Sequence, residues 1–253
     1  MRGLEGKRVI VTGGGSGIGR EICLRFAEEG SEVAIFDLNL AGAEETARSI
    51  GEAGGKAKAY EVNIADRAAV DAALAAVEAG GGVDALVNNA GWDRPIPFLQ
   101  TDGDFWKKII DINLYGPLNM HHAVLPGMVA NGGGAIVNIA SDAGRVGSSG
   151  EAVYSACKGG IIAFSKTISR EYARKNIRVN TVCPGPTDTK LLEEFRTGDK
   201  DGGILEAMKK VIPMRRIGQP SDYPGIVCFL ASDDASFILG QTISVSGGLT
   251  MHG

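Results

Sequence analysis

A chain of 253 residues, 44% hydrophobic and 22% charged, is long enough for one large α/β domain or two small ones and can bury a substantial core. Its net charge of −4 gives no electrostatic reason to bind nucleic acid or an acidic membrane. No apolar run approaches the roughly 20 residues of a membrane span, and the opening MRGLEGKRVIVTGGG lacks the apolar core and cleavage site of a signal peptide, so a cytoplasmic protein is expected.

Short β-branched runs alternate with helical patterns from end to end. Strands are expected at 7–12, 32–37, 58–62, 84–89, 135–141, 177–184 and 241–247, several of them apolar on consecutive residues, as in a parallel strand covered on both faces. Helical spacing or composition marks 17–29, 41–53, 66–79, 103–130, 152–175 and 220–231. This alternation predicts a single α/β domain, a seven-stranded, doubly wound parallel sheet of Rossmann type with helices on both faces. The least regular region, 185–219, carries apolar spacing at Leu191, Leu192 and Phe195 and again at Ile204, Leu205, Met208 and Val211. It reads either as a helical substrate flap before the last helix and strand or as a plain surface excursion.

The four cysteines, Cys23, Cys157, Cys183 and Cys228, lie far apart in apolar or small-residue runs, which points to buried thiols and not to a disulfide or metal site. The three histidines do not cluster, so no metal is expected.

The segment VIVTGGGSGIGREI sets a glycine-rich turn directly between an apolar strand and a helix. Gly13, Gly17 and Gly19 follow a G-x-x-x-G-x-G spacing. Such a turn lets backbone amides at a helix N-terminus face a pyrophosphate, though it also occurs for packing alone. Asp37 closes the second predicted strand, near the offset expected for an acid on the nucleotide ribose. A carboxylate there accepts from both ribose hydroxyls and repels a 2′-phosphate. Position 16 is Ser, and no basic residue follows Asp37, features that favour NAD over NADP.

The stretch SDAGRVGSSGEAVYSACKGG at 141–160 looks like a poor helix entrance, yet Lys158 stands four residues after Tyr154, on the same helix face. A phenol with a pKa near 10 is a weak base at neutral pH, and a neighbouring ammonium favours its phenolate.

TGGGSGIG at 12–19, NNAG at 88–91, IN at 112–113, Ser141, YSACK at 154–158 and PGPTDT at 184–189 together resemble the short-chain dehydrogenase/reductase family, in its order and across essentially the whole chain. The resemblance implies hydride transfer between a nicotinamide and an alcohol or ketone, with Asn113, Ser141, Tyr154 and Lys158 as the catalytic set. In that scheme Tyr154 is the base, Lys158 lowers its pKa and holds the nicotinamide ribose, Ser141 donates to the substrate oxygen, and Asn113 positions a water between Lys158 and solvent. Asn113 reads from its own context equally well as a buried, hydrogen-bonded amide. The implied NAD contacts are Gly13, Ser16, Gly17, Ile18, Gly19, Asp37, Leu38, Asn63, Ile64, Asn89, Ala90, Gly91, Tyr154, Lys158, Pro184, Gly185, Thr187 and Thr189. Asn63 departs from the family, which commonly has Asp there; its side-chain oxygen can still accept from the adenine amino group.

A closer similarity, in NNAGWD, HHAVLPGM, IASDAGRVGSSGEAVYSACKGG and SVSGGLTMHG, is to 2-hydroxycyclohexanecarbonyl-CoA dehydrogenases of alicyclic and aromatic acid degradation. It implies NAD-dependent oxidation of a cyclic secondary alcohol carried as a CoA thioester. The alternatives are a 3-oxoacyl-(acyl carrier protein or CoA) reductase, another cyclic alcohol or sugar dehydrogenase, and a regulatory protein with the fold but no turnover. Trp92, Asp93, Asp142, Arg145 and Glu151 are expected at the substrate pocket. Trp92 reads as a ring wall or a packing aromatic, and Arg145 as a partner of Asp93 or of a polar substrate group. Lys190, Arg196, Arg215 and Arg216 are candidates for the CoA phosphates or a solvated charged face. The family also suggests a homotetramer built on the helices at 103–130 and 152–175.

Overall fold

The computed structural model describes residues 1–189, 192 and 203–251. Seven strands form one parallel sheet: β1 (Arg8–Thr12), β2 (Glu32–Asp37), β3 (Lys56–Glu61), β4 (Ala85–Asn88), β5 (Gly134–Ile139), β6 (Ile177–Pro184) and β7 (Thr242–Val245), in the order β3-β2-β1-β4-β5-β6-β7. The helices are α1 (Gly17–Glu28), α2 (Leu40–Glu52), α3 (Arg67–Glu78), α4 (Gly103–Ile110), α5 (Gly116–Ala130), α6 (Ala143–Val146), α7 (Ala152–Tyr172), α8 (Gly203–Val211) and α9 (Pro224–Ala231). Every expected strand and helix is present, with ends displaced by a few residues at most. The expected long helix at 103–130 is α4 and α5 joined by a wider π turn at Asp111–Tyr115. Residues 190–191 and 193–202, which include Lys190, Leu191, Phe195 and Arg196 of the expected flap, lie outside the described residues.

Alternation along each strand sends side chains to opposite faces. From β1, Val9 and Val11 enter a core with Ile22, Cys23 and Phe26 of α1 and Val227 and Leu230 of α9. Ile10 enters the other core, with Val70 and Leu74 of α3 and Met120 and Val124 of α5. Burial on both faces is why the central strands β1, β2 and β4 read as apolar runs. All four cysteines are buried and free. Among the described residues no helix is long and apolar enough to cross a membrane, and no cluster of three His, Cys, Asp or Glu side chains could hold a metal ion.

The sheet's order reverses between β1 and β4, and the strand C-termini there open the crevice in which such sheets bind ligands. A buried polar chain stiffens this point. Asn88, at the end of β4, donates to Asn138 Oδ1 (2.9 Å), and Asn138 donates to Ser165 Oγ on α7 (2.8 Å). His121 of α5 places Nδ1 2.8 Å from Pro117 O, with Nε2 3.3 Å from the Asn138 amide nitrogen. Nδ1 therefore donates to the carbonyl and Nε2 accepts.

Burial pushes the His121 pKa down to about 4. The unfolded chain takes up this proton near pH 6.5, so the stability held by neutral His121 is present above that value and is lost as pH falls towards 4. We expect His121→Gln to reduce the loss of unfolding free energy between pH 7 and 4.5 by about 2 kcal/mol, measured by urea denaturation at both pH values.

Candidate active site

A cleft of about 610 Å³ lies at the strand C-termini. On one side is the glycine turn, where Gly17 takes a left-handed φ of 53° at the start of α1. Asp37 holds this turn from β2: its Oδ2 accepts from the Gly15 amide and its Oδ1 from the Asn39 amide, both at 2.8 Å. The remaining lone pairs of the carboxylate are left for other donors. Leu38, beside it, is 68% exposed. Asn89 ties the β4 end to the turn by donating to Thr12 O (3.0 Å) and Gly13 O (3.1 Å), and Thr12 Oγ1 accepts from the Asn89 and Ala90 amides. Asn63 spends its side-chain oxygen on the Ala65 amide (3.0 Å), while Ile64 is buried.

The elements around the cleft fit a nicotinamide dinucleotide. A helix N-terminus follows the glycine turn, a carboxylate closes β2, and Ile18, Asn89, Gly91, Tyr154, Lys158, Pro184, Gly185, Thr187 and Thr189 all face the cleft. Thr187 is buried, bonded to Gly185 O (2.8 Å) and to the Tyr223 hydroxyl. Gly13, Ser16, Gly17, Gly19, Asp37, Leu38, Asn63, Ile64 and Ala90 are not part of the cleft's lining.

Ser141, Tyr154 and Lys158 meet at the floor of the cleft. Ser141 follows β5, and its Oγ accepts from the Ala143 amide (3.1 Å). Lys158, only 3% exposed, donates to Ile139 O at 3.0 Å and lies 5.5 Å from the centre of the Tyr154 ring. Burial pushes Lys158 down to about 8, so its charge is held below that pH. Tyr154 is pushed well above its ordinary value, first by burial and then by the negative charges of Glu151 and Asp93; its hydrogen bond with Ser141 acts the other way. The expected effect of Lys158 on the phenol is thus outweighed in the protein alone.

Asn113 sits in the π turn, completely buried. It donates to Ile109 O (3.0 Å) and Trp92 O (2.7 Å), and its Oδ1 accepts from the Trp92 amide (3.3 Å). Widening the helix there lets the side chain reach the backbone carbonyl of the preceding turn and the β4 loop together. A side chain at Gly91 would come within 3.0 Å of Asn113 Oδ1 and 3.4 Å of Lys158 Nζ, which places all three side by side.

The expected substrate residues divide. Asp142 and Glu151 line the cleft; Trp92, Asp93 and Arg145 do not. Trp92 is half-buried, edge-on to Phe105 with Lys108 3.5 Å above its ring, the packing alternative of its two readings. Asp93 and Arg145 do not pair with each other: Asp93 lies against Glu151, and Arg145 donates to Ser244 Oγ (2.8 Å), which itself donates to Asp142. Arg216 forks onto Asp222 (2.6 and 2.8 Å), and Arg215 donates to Lys210 O.

Sequence reasoning did not name Val146, Leu249, Thr250 and Met251 as cleft residues, though Leu192 and Met208 stood in the apolar spacing of the flap region. They give the far wall an apolar character. The chain end returns to the cleft because β7 leads directly to it, a consequence of topology that no local motif announces.

The family model described as enoyl-(acyl carrier protein) reductase matches residues 13–250. The chain is 34% identical over 249 residues to the 3-oxoacyl-[acyl-carrier-protein] reductase FabG of Thermotoga maritima, covering 98% of this chain and 99% of the relative. A 7α-hydroxysteroid dehydrogenase complexed with NADH and 7-oxo glycochenodeoxycholic acid superposes with a TM-score of 0.91 at 33% identity, covering 97% and 94% of the two chains. The 3-ketoacyl-(acyl-carrier-protein) reductase of Brucella melitensis, complexed with NADH, gives 0.89 at 33% identity, covering 98% and 100%.

Gly144 sets how closely the Ser141 loop approaches α7. A Cβ there would lie 2.7 Å from both Gly159 N and Lys158 C, backbone atoms that cannot turn aside. Gly144→Ala must push α6 away from α7. Its expected effect is a loss of about tenfold or more in kcat, because misplacing reacting groups by a fraction of an ångström is costly, together with a lowered Tm; steady-state kinetics and thermal unfolding test both.

Proposed function

The chain belongs to the short-chain dehydrogenase/reductase family and is an oxidoreductase using a nicotinamide cofactor, and within that family we propose that it interconverts a β-hydroxyacyl and a β-oxoacyl thioester with NAD(H). The physiological substrate we infer is 2-hydroxycyclohexanecarbonyl-CoA, oxidised to 2-oxocyclohexanecarbonyl-CoA. The observation that carries the reaction class is the meeting of Ser141, Tyr154 and Lys158 at the floor of an apolar-walled cleft beside the glycine turn. When bound, the nicotinamide accepts or delivers the hydride.

The chain's own groups handle the rest. Ser141 donates to the substrate oxygen and holds it beside Tyr154. Tyr154 takes the hydroxyl proton as hydride leaves the carbinol carbon, and returns it in the reverse direction. Lys158, fixed by Ile139 O, supplies positive charge next to the phenol and donors for the nicotinamide ribose. The bond from Asn113 to the Trp92 backbone holds the β4 loop against α4, and we assign Asn113 to ordering a water beside Lys158. Asp37 favours NAD because its carboxylate repels a 2′-phosphate.

The hydroxyl of the inferred substrate lies on the ring carbon β to the thioester carbonyl, so its chemistry is that of a 3-hydroxyacyl thioester. The 3-oxoacyl and 3-ketoacyl reductases among its relatives support a β-oxo thioester as the reacting unit, and an open-chain 3-oxoacyl thioester is the second reading. Apolar walls at Val146, Leu192, Met208 and Leu249 suit a carbocycle or an alkyl chain over a sugar. We assign α8, with Met208 on the cleft, to a flap over the substrate. With Arg216 committed to Asp222, the CoA phosphates must find other cations. A homotetramer belongs to the same reading, supported by the fully exposed apolar side chains Leu99 and Phe237.

Tyr154→Phe should lower kcat by about 10² to 10⁴-fold with little change in NADH binding, read by fluorescence titration; wild-type turnover in this variant would remove Tyr154 from the reaction. In a panel of 2-hydroxycyclohexanecarbonyl-CoA, 3-hydroxyacyl-CoAs and free cyclohexanols, the CoA esters should react, the cyclic one with the highest kcat/KM. NADP⁺ should be disfavoured about a hundredfold against NAD⁺. Activity confined to free alcohols would sink the thioester assignment.

A further inference from the structure

We propose that Asp93 and Glu151 share a proton as a buried carboxyl pair behind Tyr154, and that the charge of this pair sets the pH at which the tyrosine exchanges its proton. The proposal rests on the reading of Tyr154 as the acid–base group.

The geometry begins with the backbone. The loop after β4 is tied to the start of α7 by a hydrogen bond from the Ile96 amide to Gly150 O (2.9 Å). This brings two acids together: Asp93, 1% exposed, and Glu151, 9% exposed. Both border a small cavity behind the tyrosine whose wall includes Tyr154 and Phe105, and Glu151 and Tyr154 also face the main cleft. Asp93 Oδ2 is buried with no hydrogen-bond partner, and Glu151 stands beside Asp93 in the wall of the same small cavity. Two carboxyls side by side, one with a buried oxygen that has no partner, call for a donor between them, and a proton on one carboxyl supplies it.

The surrounding charges agree. Burial, then the contact with Glu151, holds Asp93 well above the ordinary carboxylate range. The groups that oppose this are the Arg94 amide and the Lys158 ammonium. The Arg94 guanidinium is drawn over the Phe105 ring (5.8 Å) and Lys108 over Trp92 (3.5 Å). Cys157 and Tyr154 face the pair from α7, and each is pushed up, burial first, with Asp93 contributing. The pair therefore carries one negative charge while the proton is shared and two once it is lost. Either state disfavours phenolate, the second more strongly. The device keeps Tyr154 protonated, and so able to donate to a ketone oxygen, to a higher pH than Ser141 and Lys158 alone would allow. Asp93 and Glu151 are positioning residues in this scheme, acting through Tyr154.

Two measurements test it. The first needs no substrate. Native Asp93 retains its proton to a higher pH than unfolded Asp93, so wild-type stability falls as pH rises above the ordinary carboxylate range. Asp93→Asn lacks that slope, so its Tm should gain on wild type between pH 5 and pH 8.5. Parallel Tm curves would overturn the shared proton. In the second, the isosteric double variant Asp93→Asn/Glu151→Gln removes the pair's charge. The acidic limb of its kcat/KM profile for alcohol oxidation should move to lower pH by about one unit. Asp93→Asn alone, which keeps the Glu151 charge, should leave that limb near the wild-type position. A double variant with the wild-type limb would overturn control of Tyr154, whatever its absolute rate. Failure of every alcohol to react would instead strike the functional reading, and the Tm arm would still decide the pair.

Discussion

The bond from the buried Lys158 ammonium to the Ile139 carbonyl is the constraint on which the site depends. A cation removed from water must find hydrogen-bond acceptors or lose its charge, and Ile139, the last residue of β5, offers its carbonyl. That bond at 3.0 Å ties α7 to the end of β5, on the face where α7 also buries Cys157, Ile161 and Ser165. Tyr154, one turn earlier on the same face, is thereby aimed into the cleft, and Ser141 arrives from the strand that supplied the carbonyl. Space is then made around the ammonium: Gly91 stands beside it, and Gly144 lets α6 settle against the α7 backbone.

The same burial that secures the lysine works against the tyrosine. In the protein alone Tyr154 is harder to ionise than a phenol in water, because burial and two nearby acids outweigh its bond with Ser141. In the proposed reaction, an oxidised nicotinamide bound at that end of the cleft would bring a positive charge that opposes those acids. On the proposed reading the labour is divided: Lys158 and the cofactor would favour the base, while Asp93 and Glu151 would favour the acid.

Much of this was legible in the residues because local chemistry announced it. Unbroken apolar runs marked strands covered on both faces, and the glycine turn, Asp37 and the Tyr154/Lys158 spacing lie within single elements or their ends. What escaped depends on pairs distant in sequence. Asp93 and Glu151 are 58 positions apart, and nothing in either segment says that they touch. Of the two readings of Arg145, the pairing with Asp93 is not made, because α6 turns the guanidinium towards Ser244 on β7. Asn63, whose expected partner is the adenine amino group, also accepts from the Ala65 amide in its own turn. The π turn at Asn113 was hidden inside an ordinary helical pattern, since hydrophobic spacing does not register one extra residue in a turn.

The most direct test of the central claim is the ultraviolet difference titration of tyrosine ionisation, comparing wild type with Tyr154→Phe, each with and without saturating NAD⁺. The account predicts one phenol, absent from the variant, that ionises well below pH 10 in the NAD⁺ complex and well above it in the free protein. A titration that NAD⁺ leaves unchanged, or that is identical in the two proteins, would contradict it.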